Sequence, residues 1–279
     1  TGAAVIALQR HVGRAAQDLT QLKQAFSWLA IGPAISNFIG PFTAGLLIDH
    51  AGFQWAYGAM AVLPLLTWAW VRKTPELPTY VKPEGHEKNK AWDLLNAPMF
   101  RRLMLVNWFL SACWDVHTFV VPIMGHEKDL SASAIGSILG AFAIAAALIR
   151  IGLPFLVTRL HEWQVLTGAM LATSIFLGLY PFMNSALSMG CCSVLLGFSL
   201  GSVQPMVMST LHQITPESRH GEAIGLRLMG INASSVMMPI VFGAAGAVVG
   251  AGGVFWCVSA MVGLGSRSAY LLRIGKKLE

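Results

Sequence analysis

The chain of 279 residues is too apolar and too poor in charges for a protein that is surrounded by water. Hydrophobic residues make up 55% of it and charged residues 11%, whereas charged residues make up about a quarter of a soluble globular protein. This composition excludes an ordinary soluble enzyme and a disordered chain, and it predicts a protein that lies in lipid.

Eight apolar stretches are long enough to cross a membrane as helices, which takes about 20 residues each. In chain order the predicted spans are 25–48, 53–71, 103–124, 134–157, 163–183, 186–211, 223–246 and 250–272. The predicted fold class is therefore an all-α, polytopic membrane protein.

The Lys and Arg residues between the spans fall almost entirely on one side of the predicted membrane. If the segment before the first span lies inside, the inside segments hold all of these residues except Lys128, which lies outside, and Arg150 and Arg227, which lie within spans. Cationic loops stay on the cytoplasmic side, so segment 72–102 and the C-terminus are predicted to be cytoplasmic. The net charge of +6 then indicates contact with anionic lipid headgroups rather than with nucleic acid.

The sequence repeats itself weakly at an offset of 198 residues, which aligns the first span with the seventh. The matches that constrain the backbone are Gly32 with Gly230, Pro41 with Pro239, Gly45 with Gly243 and Gly52 with Gly250. Parallel repeats are a known construction of transporters. We therefore expect four further spans before the first one, with residues 1–8 as the end of the last of them.

The third span carries a polar face at helical spacing, made up of Asn107, Ser111, Trp114, Asp115 and Thr118. Asp115 lies near mid-depth, where a charge costs about 2.5–3.5 kcal/mol on insertion scales. Such a residue is a candidate for binding solute or protons, and the alternative is a structural hydrogen bond to a neighbouring helix.

His117 lies off this polar face. Its usual pKa range would suit a proton carrier, but a packed histidine that bonds to another helix is the simpler interpretation. We retain both Asp115 and His117 as proton-coupling candidates.

Further polar residues lie in other spans and complete the predicted solute cavity with the third span. Gln204 precedes Pro205, which would free a backbone carbonyl, and Gly197 and Gly201 favour close helix packing. The predicted cavity residues are Asn37, Asn107, Trp108, Ser111, Asp115, Thr118, Gln204 and Asn232.

Two arginines lie within spans near their predicted inner ends. Arg150 is interpreted as a gate residue or as an anchor whose long side chain reaches towards the headgroups. Arg227 lies about one turn from Glu222, and the simplest interpretation is a local ion pair or an ion pair between helices.

Four sequence features together resemble the major facilitator superfamily of secondary transporters. They are GPFTAG at 40–45, the basic segment 72–102, GLPFLVTRL at 152–160, and the run from Gln204-Pro205 through Arg219 and Gly221-Glu222 to Arg227. The first is similar to the helix-five motif of exporters and antiporters, and the third to the cytoplasmic loop motif of the family.

The resemblance covers helices five to twelve of the family and implies a chain that is truncated at its N-terminus. Residues 1–71 would be the end of the first six-helix half, 72–102 the cytoplasmic linker, and 103–279 the second half. Gly32, Gly40, Pro41 and Gly45 would form the helix-five motif, and Arg150, Gly152 and Arg159 the cytoplasmic gate motif.

The resulting functional prediction is a secondary transporter of a small organic or drug-like solute, with proton-coupled efflux by antiport and alternating access. It implies no enzyme activity, no cofactor and no metal, a monomer when complete, and a place in the bacterial inner membrane. The alternatives are an uptake symporter of the same fold and a membrane sensor that does not transport.

Overall fold

The computed structural model describes residues 19–72, 91–157, 161–216 and 219–273, with no side chains for 19–34, 151–157, 212 and 220. The expectation for residues 1–8 and most of the predicted linker (73–90) lie outside the described residues.

The described residues form helices over every predicted span. The helices are α1 (Leu19–Ala51), α2 (Phe53–Val71), α3 (Pro98–Glu127), α4 (Ala132–Val157), α5 (Glu162–Leu179), α6 (Ala186–Gly201), α7 (Val203–Ile214) and α8 (His220–Tyr270). Short 3-10 helices stand at Ala91–Asn96 and Tyr180–Phe182. The prediction of an all-α, polytopic fold is confirmed.

Five helical stretches of the described residues are long and apolar enough to cross a membrane. They are Pro98–Glu127, Ala132–Arg150, Glu162–Phe182, Ala186–Leu211 and Gly221–Arg273. The last is 53 residues long, which is far more than one crossing needs, and it contains the seventh and eighth predicted spans.

The long helix α8 reverses direction at Gly250, whose φ of 73° and ψ of 169° are not helical. We call residues 220–249 the first arm and residues 251–270 the second arm. The first arm runs parallel to α3, because the residue numbers in contact rise together in the pairs Asn107–Arg227 and Asp115–Ser234.

The second arm of α8 runs antiparallel to α5, because Ser174 bonds to Ser259 while Gly178 accepts a bond from Trp256. A chain of neighbours shows that α5 itself points the same way as α3. Helix α3 is antiparallel to α4, as the contacts Gly125–Ile135 and Trp114–Phe142 show. Helix α4 is parallel to α6, as the contacts Gly190–Ile138 and Gly201–Ala146 show. Helix α6 is antiparallel to α5, as the contacts Thr173–Ser199 and Phe176–Cys192 show. The two arms are therefore antiparallel, as separate seventh and eighth spans require.

These directions place the described cationic ends of the helices on one side of the bundle, which we call the basic end. The residues at this end are Arg101, Arg102, Arg219, Arg267 and Arg273, whereas Lys128 lies in the connection between α3 and α4 at the opposite end. The segregation of charge that the spans predicted is thus also a property of the folded helices.

Large apolar side chains cover much of the outer surface of the bundle. Val248 is 85% exposed, Trp70 is 83% exposed and Leu264 is 82% exposed. An extensive apolar surface of this kind is unstable in water and is suited to lipid acyl chains. Several polar side chains of α3, α5 and α6, among them His117, Thr173 and Ser193, bond instead to a neighbouring helix.

Two turns of the chain share one rare backbone conformation. Gly52, between α1 and α2, has φ 84° and ψ 169°, and Gly250 has φ 73° and ψ 169°. These two are the glycines that the 198-residue offset aligns, and they are the described glycines with positive φ. The sequence repeat therefore corresponds to a repeated turn of the backbone.

Replacement of either turn glycine by alanine is expected to destabilise the fold by about 1–3 kcal/mol, because this backbone region is accessible essentially only to glycine. Gly58→Ala and Gly243→Ala are matched controls, since both glycines are helical and have open space where a Cβ would stand. Unfolding in detergent measures the four variants. Equal stability of the turn and control variants would contradict the prediction.

Candidate functional site

Two polar layers join α3 to the first arm of α8, and we call this contact the α3–α8 seam. In the layer nearer mid-depth, the carboxylate of Asp115 accepts hydrogen bonds from Ser234 Oγ at 2.8 Å and from Ser235 Oγ at 3.2 Å. Asp115 is half-buried, and no cation of the described residues forms an ion pair with it. The seam thus contains a carboxylate whose described partners are two neutral hydroxyls.

The layer nearer the basic end contains a buried arginine. Arg227 is 6% exposed, and its Nε donates to Asn107 Oδ1 at 3.0 Å. The expected ion pair between Arg227 and Glu222 is wrong, because Glu222 instead bonds to Arg219 at 2.7 Å. Glu222 lies at the start of α8, whereas the side chain of Arg227 is directed across to α3.

The other predicted cavity residues divide into two groups. On α3, Trp108 and Ser111 are half-buried, and the hydroxyl of Thr118 bonds to carbonyls of its own helix. The second group consists of exposed side chains on other helices, namely Asn37 on α1, Gln204 on α7 and Asn232 on α8. Among the residues with described side chains, no hydrogen bond connects this second group to the polar face of α3.

His117 lies in a buried cluster between helices. Its Nε2 is 2.9 Å from Ser193 Oγ, which also bonds to the hydroxyl of Tyr180 at 2.8 Å. The imidazole is fully buried and stacks on Phe142 with ring centroids 4.0 Å apart. This environment fits a histidine that holds α3 against α6, which is the simpler of the two sequence interpretations.

Arg150 bonds to a carbonyl that a proline leaves free. In a regular helix the carbonyl of Gly201 would accept from the N–H of residue 205, but Pro205 has none. The Nε of Arg150 donates to this carbonyl at 3.3 Å, and its Cζ lies 6.0 Å from the ring centre of Trp114. The freed carbonyl that the sequence predicted thus has a partner in the protein, and Arg150 is directed towards the bundle.

The helix-five motif brings α1 against α4 with almost no space between the backbones. A Cβ on Gly45 would collide with the backbone of Ala132, and one on Gly136 would collide with the carbonyl of Pro41. At Gly40 a Cβ would have open space. The motif glycines are therefore not equivalent, since Gly45 is required for the close contact and Gly40 is not.

Three predicted motif residues cannot be placed in contact with other side chains. Gly32 and Gly152 are helical, but the side-chain surroundings of residues 19–34 and 151–157 lie outside the description. Arg159 lies outside the described residues altogether.

A carboxylate completes the contact between α1 and α4 at the opposite end of the bundle. The two oxygens of Asp49 accept from the backbone N–H groups of Ala132 (2.9 Å) and Ser133 (2.8 Å), which stand at the N-terminus of α4. Exposed N–H groups at a helix start favour a negative charge. Hydrogen bonds from Ser133, followed by those from Ala132, hold the pKa of Asp49 below its usual value.

Sequence reasoning did not identify Ser234, Ser235 or Arg227 as partners of the third span. A usable signal was present for two of them, because Arg227 and Ser234 are seven residues apart and therefore lie on one face of a helix. The spacing of Asn107 and Asp115 on α3 is eight residues, close to the seven that separate Arg227 from Ser234.

Comparisons with known proteins give a family and a fold. A family model described as Major Facilitator Superfamily matches residues 1–239 and 103–274. A solved structure described as that of a bacterial metal transporter is similar with a TM-score of 0.65 and 16% sequence identity, over 95% of this chain and 68% of that chain. At this identity the similarity shows the fold alone. No curated protein matches the chain at a significant level.

The close contact between α1 and α4 predicts different effects of alanine at two motif glycines. Gly45→Ala is expected to destabilise the protein by about 1–3 kcal/mol, because the added methyl group must displace the α4 backbone. Gly40→Ala, the matched control five residues away, is expected to leave the stability within about 0.5 kcal/mol of the wild type. Unfolding in detergent tests this, and equal losses in both variants would show that the contact is not tight.

Proposed function

Because the chain belongs to the major facilitator superfamily, a family of membrane transporters, we propose that it functions in a secondary transporter that exports a small organic solute in exchange for protons. The family membership and the apolar helices make it a multi-pass membrane protein and point to a transporter rather than an enzyme. The direction of transport, the coupling ion and the class of solute are what we propose in addition.

The observation that carries the proposal is the carboxyl group of Asp115 inside the bundle. At 1.5 Å per residue it lies about 26 Å from the start of α3 and about 18 Å from its end. Two serine hydroxyls stabilise it, and because a hydroxyl can also accept a hydrogen bond, the same pair tolerates a protonated carboxyl group. A group that is stable with and without its proton is suited to proton coupling.

His117 is the weaker of the two proton-coupling candidates. Its ring is fully buried against Phe142, and Ser193 occupies its Nε2. Asp115 is half-buried, so water and protons reach it at a lower cost. We therefore assign proton coupling to Asp115 and a packing role to His117.

Alternating access would act at the contact between α1 and α4, which we assign to different halves of the transporter. The close approach at Gly45 and the hydrogen bonds of Asp49 hold these helices together at the end opposite the basic end. In the proposed cycle this contact opens when solute leaves on that side. The resemblance of GPFTAG to the exporter motif favours export over uptake.

The basic end would face the cytoplasm of a bacterial cell, with segment 72–102 and the C-terminus on that side. The support for this orientation is the positive-inside rule together with the described cationic residues at one end of the bundle. The inner membrane is the matching location.

Asp115→Asn is expected to abolish the dependence of solute flux on a pH gradient, because the amide keeps the size and accepts a hydrogen bond but cannot carry the proton. Flux is measured in everted membrane vesicles from cells that express the protein, with and without an imposed pH gradient. Asp129→Asn is the matched control, since Asp129 is exposed in the connection between α3 and α4 and its left-handed backbone (φ 55°) suits asparagine equally.

Full gradient dependence in Asp115→Asn would contradict the proton assignment. Gradient-driven accumulation in the opposite direction would favour the uptake symporter, and saturable binding of a solute without flux would favour the sensor.

The orientation predicts that single cysteines at positions 88 and 276 react with a membrane-impermeant maleimide only in everted vesicles. A cysteine at position 128, on the opposite end, is expected to react only in intact cells with a permeabilised outer envelope. The native cysteines are replaced first, because Cys191 and Cys257 are exposed. Labelling of positions 88 and 276 from different sides would contradict both the orientation and the span count.

A further inference from the structure

A cavity of about 320 Å³ lies at the basic end between α3, the first arm of α8 and the 3-10 helix Ala91–Asn96. Its volume falls within the range of small-molecule sites. The lining residues that bear on its chemistry are Trp92, Arg101, Met104, Asn107, Trp108 and Arg227. None of the described lining residues is acidic.

Among the residues whose side chains the structure describes, no acidic group pairs with Arg227, which gives this cavity a buried positive charge. Its side chain is 6% exposed, and its one described hydrogen bond goes from Nε to the neutral amide of Asn107. The only described ion pair of the first arm is that of Glu222 with Arg219, outside the cavity. A buried cation is costly unless an anion accompanies it. The remaining guanidinium N–H groups have no hydrogen-bond partner among the described residues and can bind an anion.

The geometry of guanidinium specifies the kind of anion. Its planar N–H groups match a carboxylate or a phosphate with two parallel hydrogen bonds. Arg101 adds a second positive charge at an exposed position of the same wall. A cationic solute would meet repulsion here, because both charged lining residues carry the same sign.

The rest of the cavity wall is suited to the apolar part of a ligand. Trp92, Met104 and Trp108 line the cavity together with aliphatic residues of α3 and α8. The faces of tryptophan rings bind flat aromatic groups, and the thioether of methionine packs well against them. The cavity wall therefore combines the fixed positive charge of Arg227 with aromatic and flexible apolar side chains.

We propose that this cavity binds an organic anion, with its carboxylate on Arg227 and its apolar, preferably aromatic, part against Trp92 and Trp108. The proposal rests on the transporter function proposed above and specifies the class of its solute. Asn107 positions the guanidinium through Nε and leaves the other N–H groups for the ligand. The site lies about 12 Å along α3 from Asp115.

The test compares two probes that differ in charge but share one ring system, namely 1-naphthoate and 1-naphthamide. The chain is reconstituted in nanodiscs of phosphatidylcholine, and dissociation constants are measured by titration calorimetry. We expect naphthoate to bind at least tenfold more tightly than naphthamide. Arg227→Gln is expected to reduce naphthoate binding to the naphthamide level, and Arg227→Lys to retain part of the preference.

Two further variants keep the proposal testable if Arg227→Gln fails to fold. Gly230 lines the cavity and has open space where a Cβ would stand, so Gly230→Phe fills the site without removing the charge and is expected to abolish naphthoate binding. Gly225→Phe is the matched control on the same helix, because Gly225 also has open space and does not line the cavity. Arg273→Gln is the charge control, since Arg273 lies over Trp163 and away from the site.

Three results would overturn the proposal. The first is equal affinity of the two probes for the wild-type chain, and the second is an unchanged preference in both Arg227→Gln and Gly230→Phe. The third concerns lipid, because an anionic headgroup offers the same chemistry. If phosphatidylglycerol in the nanodisc abolishes naphthoate binding, the cavity is a headgroup site instead. None of these results bears on the Asp115-dependent flux, so failure of the solute class and failure of the transporter proposal can be distinguished.

Discussion

Lipid offers no hydrogen bonds to a polar group, and this constraint determines how the helices of this chain meet. Each polar side chain inside the bundle has to find its partner on another helix or on its own backbone. Ser174 reaches the second arm of α8, His117 reaches Ser193 on α6, and Thr118 turns back on α3 itself. These bonds add little energy one by one, but each of them fixes one helix in register with another.

Close backbone contact supplies the second part of the packing. Apolar side chains gain little from leaving lipid for protein, so helices in a membrane associate by van der Waals contact along small residues. Gly197 and Gly201 bring α6 to α4 in this way, and Gly45 brings α1 to α4. The packing of α4 is therefore glycine-based on two sides, whereas the polar seam holds α3 to α8. A close helix contact and a polar seam in one bundle suit a protein in which one helix contact moves and another region binds a ligand.

The candidate site combines two charges that have no charged partner in the described part of the protein. Asp115 has neutral hydroxyls as partners, and Arg227 has a neutral amide. A stable membrane protein without a function for these charges would gain by replacing them with apolar residues. Their separation along the seam gives each a different task in our proposals, the proton at mid-depth and the organic anion nearer the basic end.

Much of the fold could be predicted from the sequence, because each membrane-spanning helix is one contiguous apolar stretch of the chain. Apolar length located the helices, the loop cations predicted which ends lie together, and the 198-residue offset aligned Gly52 with Gly250, which share a turn conformation in the structure. The mid-depth carboxyl of Asp115 could also be identified, since depth within a span follows from counting residues.

The partners of these residues could not be predicted in the same way. Arg227 was assigned to Glu222 because the two are neighbours in sequence, yet its hydrogen bond crosses to Asn107, 120 residues away. Likewise, no local pattern indicates that Arg150 bonds to the carbonyl freed by Pro205. The sequence by itself determined where the helices lie, because lipid acts on each span separately. Only the tertiary structure decided which helix faces meet, because that choice depends on contacts between distant parts of the chain.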